Sequence, residues 1–511
     1  MVITIEDKKH FRSLQNQLRN YWQEGDILEE DDQDILVIPS FSIDQEVGKK
    51  VLGFLHYEER LLFSLIRLRN PLTRLIYITA QPLSPIIIDY YLQLLPGIPF
   101  SHARERLLLL TTYDSSQKPL TEKILERPRL ISKIKKFLRP NKSYMVCFNS
   151  TILEQELSVK LDIPLLASSP ELLYWGSKGG SREIFADCNI LHPDGSQLVY
   201  NIHDLIKEIT FLLARKPYLN KLVIKLNEGF SGEGNAVLDV SGISGLFSID
   251  LSLEKQQNLV AQIIHESKVQ GLGDTWITFC DKIPKLGVIV EEFIEGEIKF
   301  SPSMQGYITP SGKVEIISTH DQILGGEDGQ IYLGCTFPAR ENYRLQLQEL
   351  GLKVGLKLAK KGAMERFSVD FLAIKEKDQW LLYAIEINLR KGGTTHPFMT
   401  LKFLTNGNYN CGDGLFYSPE EKVKYYIASD NLQKPQYHGL LPHDLMDIIA
   451  KHHLHFDSST KTGTVFHLMG ALSEFGKIGL TSIGNSWEEA KAIYQNVENV
   501  LDNETDNFYY N

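Results

Sequence analysis

Ser368-Val369-Asp370-Phe371-Leu372 and Tyr383-Ala384-Ile385-Glu386-Ile387-Asn388-Leu389-Arg390 enclose the charged segment Lys375-Glu376-Lys377-Asp378. Two apolar runs rich in Val, Ile, Phe and Leu around a short polar segment read as antiparallel strands joined by a tight turn. With the turn centred near Lys377, Asp370 is expected opposite Ala384, and Glu386 becomes its diagonal neighbour on the same face. Glu386 and Asn388 are two residues apart on a strand, so both side chains point to one side. Asp370, Glu386 and Asn388 therefore form a candidate metal-ligand set, with Arg390 just beyond it. Hard oxygen ligands of this kind suit Mg²⁺, which keeps several waters and shares its other positions with substrate phosphates. The plainer reading is a surface hairpin with solvated carboxylates, and the rest of the chain has to decide between the two.

A chain of 511 residues has room for two or three domains and an ample core. Its hydrophobic share of 43% and charged share of 23% are those of an ordinary globular protein. A net charge near −10 argues against a nucleic-acid partner, because phosphate neutralisation needs a basic surface. Cys147, Cys188, Cys280, Cys335 and Cys411 are scattered and form no CxxC pair, which is cytosolic thiol usage without a zinc site. The segment MVITIEDKKHFRSL lacks a signal-peptide apolar core, and no apolar run approaches transmembrane length. The expectation is a cytoplasmic protein with no membrane partner.

Outward from the hairpin, the first third alternates strand and helix. Strands are expected at Ile35–Ile38, Leu75–Ile78, Leu107–Leu110 and Tyr144–Cys147. Helices are expected over Val47–Leu68, Ile86–Leu95 and Thr121–Leu138, and from a Ser150-Thr151 cap to Lys160. Such alternation predicts a parallel, doubly wound sheet. Pro39-Ser40-Phe41-Ser42 follows the first strand with no glycine where G-x-G-x-x-G belongs, which argues against NAD(P) binding and for a scaffold or substrate wall. Further on, Leu222–Leu226 and Ala236–Val240 flank the glycine-rich Asn227–Asn235, a strand–loop–strand that satisfies neither condition of a Walker loop. Glycines there still permit backbone N–H groups to face phosphate oxygens, and Lys225 could add a charge. Leu286–Ile298 is a hydrophobic strand entering an acidic stretch broken by Gly296. Met304–Ile308 and Val314–Ile317 flank the turn Thr309-Pro310-Ser311-Gly312, and a helix is expected over Leu345–Lys361. Gly325-Gly326 and Gly334 are read as loops, as is Lys391-Gly392-Gly393-Thr394-Thr395-His396-Pro397 after the hairpin. Near the end, Ser418–Ile427, Pro442–His453 and Ser486–Val500 look helical, Thr464–Met469 and Ile478–Thr481 look like strands, and Asp502–Asn511 reads as loose. His452-His453-Leu454-His455 has no carboxylate or cysteine framework and reads as a histidine-rich helix end.

Lys178 and Arg182, Val223-Ile224-Lys225 with its glycine loop, Glu291-Glu292-Phe293-Ile294-Glu295-Gly296-Glu297, Asp370, and Glu386-Ile387-Asn388-Leu389-Arg390 occur in the order seen in ATP-grasp ligases. The chain resembles that superfamily over about residues 30–500. More narrowly, LTEKILERPRLI, STHDQILGG, LGCTFPA, EINLRKGGTTHPF and GTVFHLMGALSEFGKIGLTSIGNS resemble the pheganomycin-type peptide ligases, a carboxylate–amine ligase group. The resemblance implies an α/β fold: an N-terminal Rossmann-like pre-ATP-grasp domain over 1–169, then the two-lobed α+β ATP-grasp fold. Its small lobe with the glycine-rich lid would span 170–290 and its large lobe with the metal site 291–405, with a C-terminal α/β extension over 406–511.

The resemblance also implies roles. Lys178 and Lys225 would touch ATP phosphates, and Asn227–Asn235, including Glu228, Gly229, Ser231 and Gly232, would form the lid. Glu291, Glu292, Phe293 and Ile294 would form the adenine hinge, with Glu292 and Ile294 as the pairing positions and Glu297 holding the ribose. Asp370, Glu386 and Asn388 would hold Mg²⁺, two ions bridged by Glu386, with Mn²⁺ as a substitute. Arg390 would steady the transferring phosphoryl group; His396, Lys391, His320 and Arg340 would contact the substrate carboxylate or the acylphosphate. Many relatives read E-x-N-P-R where this chain has Leu389, a departure that touches loop shape more than charge. The implied reaction joins a small-molecule carboxylate to an amine (amino acid or short peptide) through an acylphosphate, releasing ADP and phosphate, and related folds allow a homodimer. Two alternatives stay open: biotin-carboxylase-like or carbamoyl-phosphate-like activation of bicarbonate, and a silent ATP-binding regulator.

Overall fold

The computed structural model describes residues 4–21, 32–42, 52–95, 97–228, 234–248, 251–270, 274–325 and 331–506. Three sheets organise it. The first contains β1 (Asp34–Ile38), β2 (Arg74–Thr79), β3 (Leu107–Thr111) and β4 (Ser143–Cys147), all parallel in the order β3-β2-β1-β4. Its strands are near-continuous apolar runs because both faces are covered, as a parallel sheet requires. Phe11, Ile124, Ile134 and Leu157 seal one face. Leu62, Leu65, Ile66 and Tyr91 seal the other and continue into the apolar core of the C-terminal sheet through Phe337, Phe398, Tyr426 and Phe466.

The second sheet is antiparallel, with β5 (Lys221–Leu226), β6 (Asn235–Asp239), β7 (Lys268–Val269) and β8 (Val288–Glu292) in the order β7-β6-β5-β8. The third has eleven strands: β9 (Lys299–Phe300), β10 (Pro302–Ile308), β11 (Val314–Gly325), β12 (Ile331–Phe337), β13 (Glu365–Glu376), β14 (Gln379–Asn388), β15 (Asn408–Asn410), β16 (Leu415–Tyr417), β17 (Val423–Gln433), β18 (Gly463–His467) and β19 (Lys477–Gly484). Its main path runs β14-β13-β10-β11-β12-β17-β16-β15, with β19 and β18 added on β17. The helix Arg344–Lys360 buries Leu347, Val354 and Leu358 into the core that contains Phe367, Val369 and Phe371.

Several expectations need correction. The helix expected over Thr121–Leu138 is two, Leu120–Leu125 and Pro128–Phe137, because Pro128 cannot donate to the preceding turn and opens a new helix instead. The helix expected over Val47–Leu68 is a 3-10 helix over Phe54–Arg69, and residues 47–51 lie outside the described residues. Ser418–Ile427 is not helical: Val423–Gln433 is an interior strand paired with β12 and β19. Alternation of Lys424, Tyr426 and Ala428 with Val423, Tyr425 and Ile427 is the period that decides it. Lys424 is tolerated inside because its ammonium donates to Thr460 O, Lys461 O and Asn485 Oδ1 at 3.1, 3.0 and 2.7 Å. Gly334 lies within β12 and Gly325 ends β11, while Gly326 is outside the described residues. The final helix runs Trp487–Asp506, past the expected end. Thr395–Thr405 is a helix where a loop was expected as far as Pro397; Pro397 fits because first-turn N–H groups have no intrahelical partner anyway.

The loops at the ends of β1 and β4 are tied by one buried carboxylate. Glu154 accepts from Ser42 Oγ, Thr121 Oγ1 and Thr151 Oγ1, each at 2.6 Å, and from Thr151 N at 2.8 Å. The last contact completes a capping box on the helix Ile152–Leu161. Thr151→Ala is expected to cost about 0.5–2 kcal/mol, the usual range for a lost cap. A drop in the urea midpoint at constant slope would register it, and an unchanged midpoint would refute it.

Candidate active site

The site begins with a break in strand register. The hairpin turn is Lys377-Asp378, with Lys377 at φ +53°, and it sets Phe371 opposite Ala384. A bulge between Asp370 and Phe371 then skips Ile385, so Asp370 faces Glu386 directly. The expected pairing of Asp370 with Ala384 is therefore wrong by two positions. The reason is packing: Leu382 and Ala384 are buried toward the turn, whereas Ile387 and Leu389 are buried beyond it. An extra residue is the only way a period-two strand keeps both pairs in one core. That odd spacing was the available signal.

Asp370 and Glu386 thus face each other on one side of the hairpin. Asn388 follows, donating to Asp370 Oδ2 at 2.9 Å, and Gln322 from β11 donates to Asp370 Oδ1 at 2.9 Å. Arg390 donates to Asn388 Oδ1 at 2.8 Å and to Lys391 O at 3.0 Å. Lys178 Nζ stands 3.5 Å from Glu386 Oε1. It opens the helix Lys178–Asp187, whose N-cap is Ser177. Gly180 in that first turn permits the close approach of the preceding segment, since a Cβ there would lie 2.0 Å from Tyr174 O. Asn227, the first residue after β5, fixes the same turn by accepting from Lys178 N and Gly179 N.

Lys225 projects from β5 into a buried ionic cluster. Glu291 Oε2 accepts from Lys225 Nζ at 2.5 Å, and Glu291 Oε1 from Arg182 Nη1 at 2.7 Å. Burial pushes the Glu291 carboxyl up, but Lys225 and Arg182 outweigh it and hold it below the usual range. Glu291 therefore acts as the counter-ion that orients Lys225. Glu292 is likewise engaged, accepting from Asp194 N at 2.9 Å and from Lys216 Nζ at 2.6 Å. Phe293 and Ile294 lie half-buried just past β8, and Glu297 is exposed. Glu228 is exposed at the mouth of the glycine-rich loop. Gly229, Ser231 and Gly232 lie outside the described residues.

Residues 170–272 and 252–412 match a family model described as IQCH-like, ATP-grasp, and residues 444–497 match the PGM1 C-terminal domain. The chain is 28% identical over 465 residues to L-propargylglycine–L-glutamate ligase of Streptantibioticus cattleyicolor, covering 89% of this chain and 91% of that protein. The chain carries an ATP-grasp region over residues 170–412. It is also 21% identical over 416 residues to IQ motif-containing protein H of Danio rerio, covering 74% of this chain and 39% of that longer protein. Among solved structures it resembles the biotin carboxylase domain of Hydrogenobacter thermophilus 2-oxoglutarate carboxylase, crystallised with MgADP, ADP and bicarbonate. The TM-score is 0.53 at 13% identity, covering 90% of this chain and 87% of that one. It resembles the ADP complex of N5-carboxyaminoimidazole ribonucleotide synthetase with a TM-score of 0.50 at 12% identity, covering 93% and 98%. At these identities the structural likenesses speak for fold alone.

The face made by Asp370, Glu386 and Asn388 fits a hard divalent cation. Burial, and then the facing Glu386, push the Asp370 carboxyl up to about 7, as expected for two carboxylates facing each other without a cation between them. A carboxyl raised in the folded state binds a proton that the unfolded chain has already released, so its contribution to stability is present below about 4 and fades as pH climbs to about 7. In EDTA, the protein is expected to lose stability over that window, and Asp370→Asn to flatten the slope. Denaturant titrations at stepped pH test this; equal slopes for the two proteins would contradict it.

The remaining predicted residues divide. His320 is fully buried, with its Nε2 2.6 Å from Tyr426 Oη, and burial pulls its pKa down to about 3. It is a core residue, and the expected substrate contact is corrected: β11 turns its ring inward onto Phe337 and Tyr426. Arg340 is exposed and lies over the Phe300 ring at 4.0 Å. Lys391 is buried and pairs with Glu365 at 2.9 Å. His396 is buried beside Asp430 and His467. Gln322, Glu291 as counter-ion, Asp430 and His467 escaped the sequence reading. Gln322 sits two residues after His320 within STHDQILGG, whereas Asp430 and His467 come together only through long-range pairing. Among the described residues no helix is long and apolar enough to cross a membrane.

Proposed function

We propose that this protein joins a carboxylic acid to an amine, one or both being an amino acid or a short peptide, and couples the bond to hydrolysis of ATP to ADP and phosphate. The observation that carries the reading is the face built by Asp370, Glu386 and Asn388 beside Lys178 and Arg390. A carboxylate is a poor electrophile, and an amine does not displace oxide from it. Attack of a carboxylate oxygen on the γ-phosphorus, with ADP leaving, gives an acylphosphate; the amine then attacks the acyl carbon and phosphate leaves. Mg²⁺, one ion or two bridged by Glu386, would neutralise charge on the phosphate oxygens when held by Asp370, Glu386 and Asn388.

The chain's own cations serve the same developing charge. Lys178 and Lys225 are held in place by Glu386 and Glu291 and would each move to a phosphate oxygen. Arg390, already oriented by Asn388 and Lys391, would lie along the transferring group. Glu292, Phe293 and Ile294 would border the adenine, and Glu297 the ribose. Water must be kept from the acylphosphate, a task that fits the loop after Glu228.

The test is ADP release from purified protein with MgATP and pooled amino acids and dipeptides, L-propargylglycine and L-glutamate included, with products followed by mass spectrometry. A product mass equal to acid plus amine minus water is expected. ADP release that depends on bicarbonate alone would replace this reading with carboxylase-type activation. Tight ATP binding without ADP release under any pool would replace it with a regulatory role.

A further inference from the structure

Gln322 reaches the acidic face from outside the hairpin. It belongs to β11, and β10 lies between β11 and β13, so its side chain crosses a whole strand to meet Asp370. The register shows the lane it takes. Ser303 on β10 pairs with His320 on one side and with Asp370 on the other, so these three stand in a row on one face of the sheet. Gln322, two residues on from His320 along β11, shares that face. Ser303 is small enough for the longer side chain to pass, and Gln322 Nε2 donates to Asp370 Oδ1 at 2.9 Å. The backbone fixes where the reach begins, since Gln322 N donates to Ser301 O at 3.0 Å beside the end of β10.

The other oxygen of the same carboxylate is held by Asn388 Nδ2, also at 2.9 Å. Asp370 is therefore braced on both oxygens by amide N–H groups, one from β11 and one from β14. Bracing is needed because Asp370 and Glu386 stand directly opposite each other, and like charges in that position repel. Without a donor on each oxygen, the Asp370 side chain is free to turn away from Glu386, and the pair is lost as a joint ligand set. The kind of donor matters as well. An amide orients itself against a carboxylate, because its N–H is attracted and its C=O repelled. Being neutral, it fixes the carboxylate without taking away its charge. An ammonium at the same place would form a charge-assisted pair with Asp370 and compete with a divalent cation for it. Each carboxylate oxygen offers a second lone pair, so one donor on each still leaves acceptor sites free.

We propose that Gln322 is a positioning residue of the metal site, holding Asp370 in the orientation in which Asp370, Glu386 and Asn388 together take a divalent cation. This rests on the metal assignment in the reading above. Hydrogen bonds that orient ligating groups from behind are worth about 10–100-fold in metal affinity. A residue that merely tied β11 to β13 would behave differently: its loss would lower stability and leave the affinity for the ion where it was.

Mn²⁺ is titrated into the full chain, without nucleotide and with a saturating non-hydrolysable ATP analogue, and the unbound ion is read by electron paramagnetic resonance. Gln322→Met keeps the length of the side chain and removes the donor, and its Kd for Mn²⁺ is expected to rise at least about tenfold. Gln322→Lys is expected to weaken Mn²⁺ further, because its ammonium competes for Asp370. In turnover, Gln322→Met is expected to need at least about tenfold more Mn²⁺ for half its maximal rate, and to come within about threefold of the wild-type kcat once Mn²⁺ saturates. Unchanged Mn²⁺ affinity in Gln322→Met, whatever its melting temperature, or wild-type affinity in Gln322→Lys would overturn the role. Equal Mn²⁺ binding by the wild type and Glu386→Ala would remove the metal assignment, and this role with it. Mn²⁺ held by the wild type and lost in Gln322→Met, but with no ADP release under any substrate pool, would keep the role and remove the ligase reading.

Discussion

Glu386→Ala is expected to reduce substrate-dependent ADP release by at least about 10³-fold while leaving the fold intact. A decade of rate corresponds to about 1.36 kcal/mol, so this is the loss of about 4 kcal/mol of transition-state stabilisation, the scale on which a metal clamp on phosphoryl oxygens acts. The fold is expected to survive because of what Glu386 touches. Its side chain is about a quarter exposed, its nearest cation is Lys178 at 3.5 Å, and its facing group is another carboxylate. Removing it relieves Asp370, which burial and Glu386 together hold far above the usual range. In metal-free buffer the variant is therefore expected to melt no lower than the wild type. Full turnover, measured as ADP released with matched acid and amine, would sink the metal assignment; a collapse in melting temperature would sink the structural account of why it is tolerated.

Glu291→Ala is expected to act the other way, on stability first. Glu291 is 2% exposed and is the shared partner of Arg182 and Lys225. Removing one member of a buried ionic group leaves the others charged, buried and unopposed, at a cost of about 3–5 kcal/mol. Glu291→Gln is expected to cost less, because the amide oxygen still accepts one hydrogen bond. Both variants release Lys225 from its orientation, so any folded fraction is expected to show a raised KM for ATP. Guanidinium unfolding with ATP kinetics separates the two effects. A loss of unfolding free energy under about 1 kcal/mol for the alanine variant would show that the cluster is not the buried network described.

Local chemistry made much of this architecture legible. The four parallel strands of the first sheet follow from short Val/Ile/Leu runs, and the antiparallel pair β5–β6 from two such runs around glycines. Errors arose where a tertiary partner overrode the local pattern. Ser418–Ile427 was read as helical because Lys424, in a polar run after Ser418, hides the period of two; that lysine is buried on acceptors from residues 460, 461 and 485. At the candidate site, the hairpin pattern alone was enough to bring Asp370, Glu386 and Asn388 together, whereas Lys178 entered only through the family resemblance. Asp430 and His467 were not legible, since they come together only through long-range pairing and share no local period. The pairing of Glu291 with Arg182 was hidden for the same reason, although both residues were in plain view.

The register break beside Asp370 changes the phase of β14 and leaves that of β13 unchanged. From Phe371 to the turn, inward residues fall on Ala373, Leu382 and Ala384; from Asp370 to the base they fall on Val369, Ile387 and Leu389. The tip can therefore be lengthened or trimmed by matched pairs of residues, one on each strand, without turning the carboxylate face. Loss of Ile385 alone closes the break and keeps Asp370 opposite Glu386, Val369 opposite Ile387 and Ser368 opposite Asn388, because Ile385 is the residue without a partner. Loss of Ile387 instead turns Asn388 to the other face. Length variation in this hairpin is thus tolerated in pairs at the tip and at the unpaired residue, and ruinous in ones along the carboxylate face.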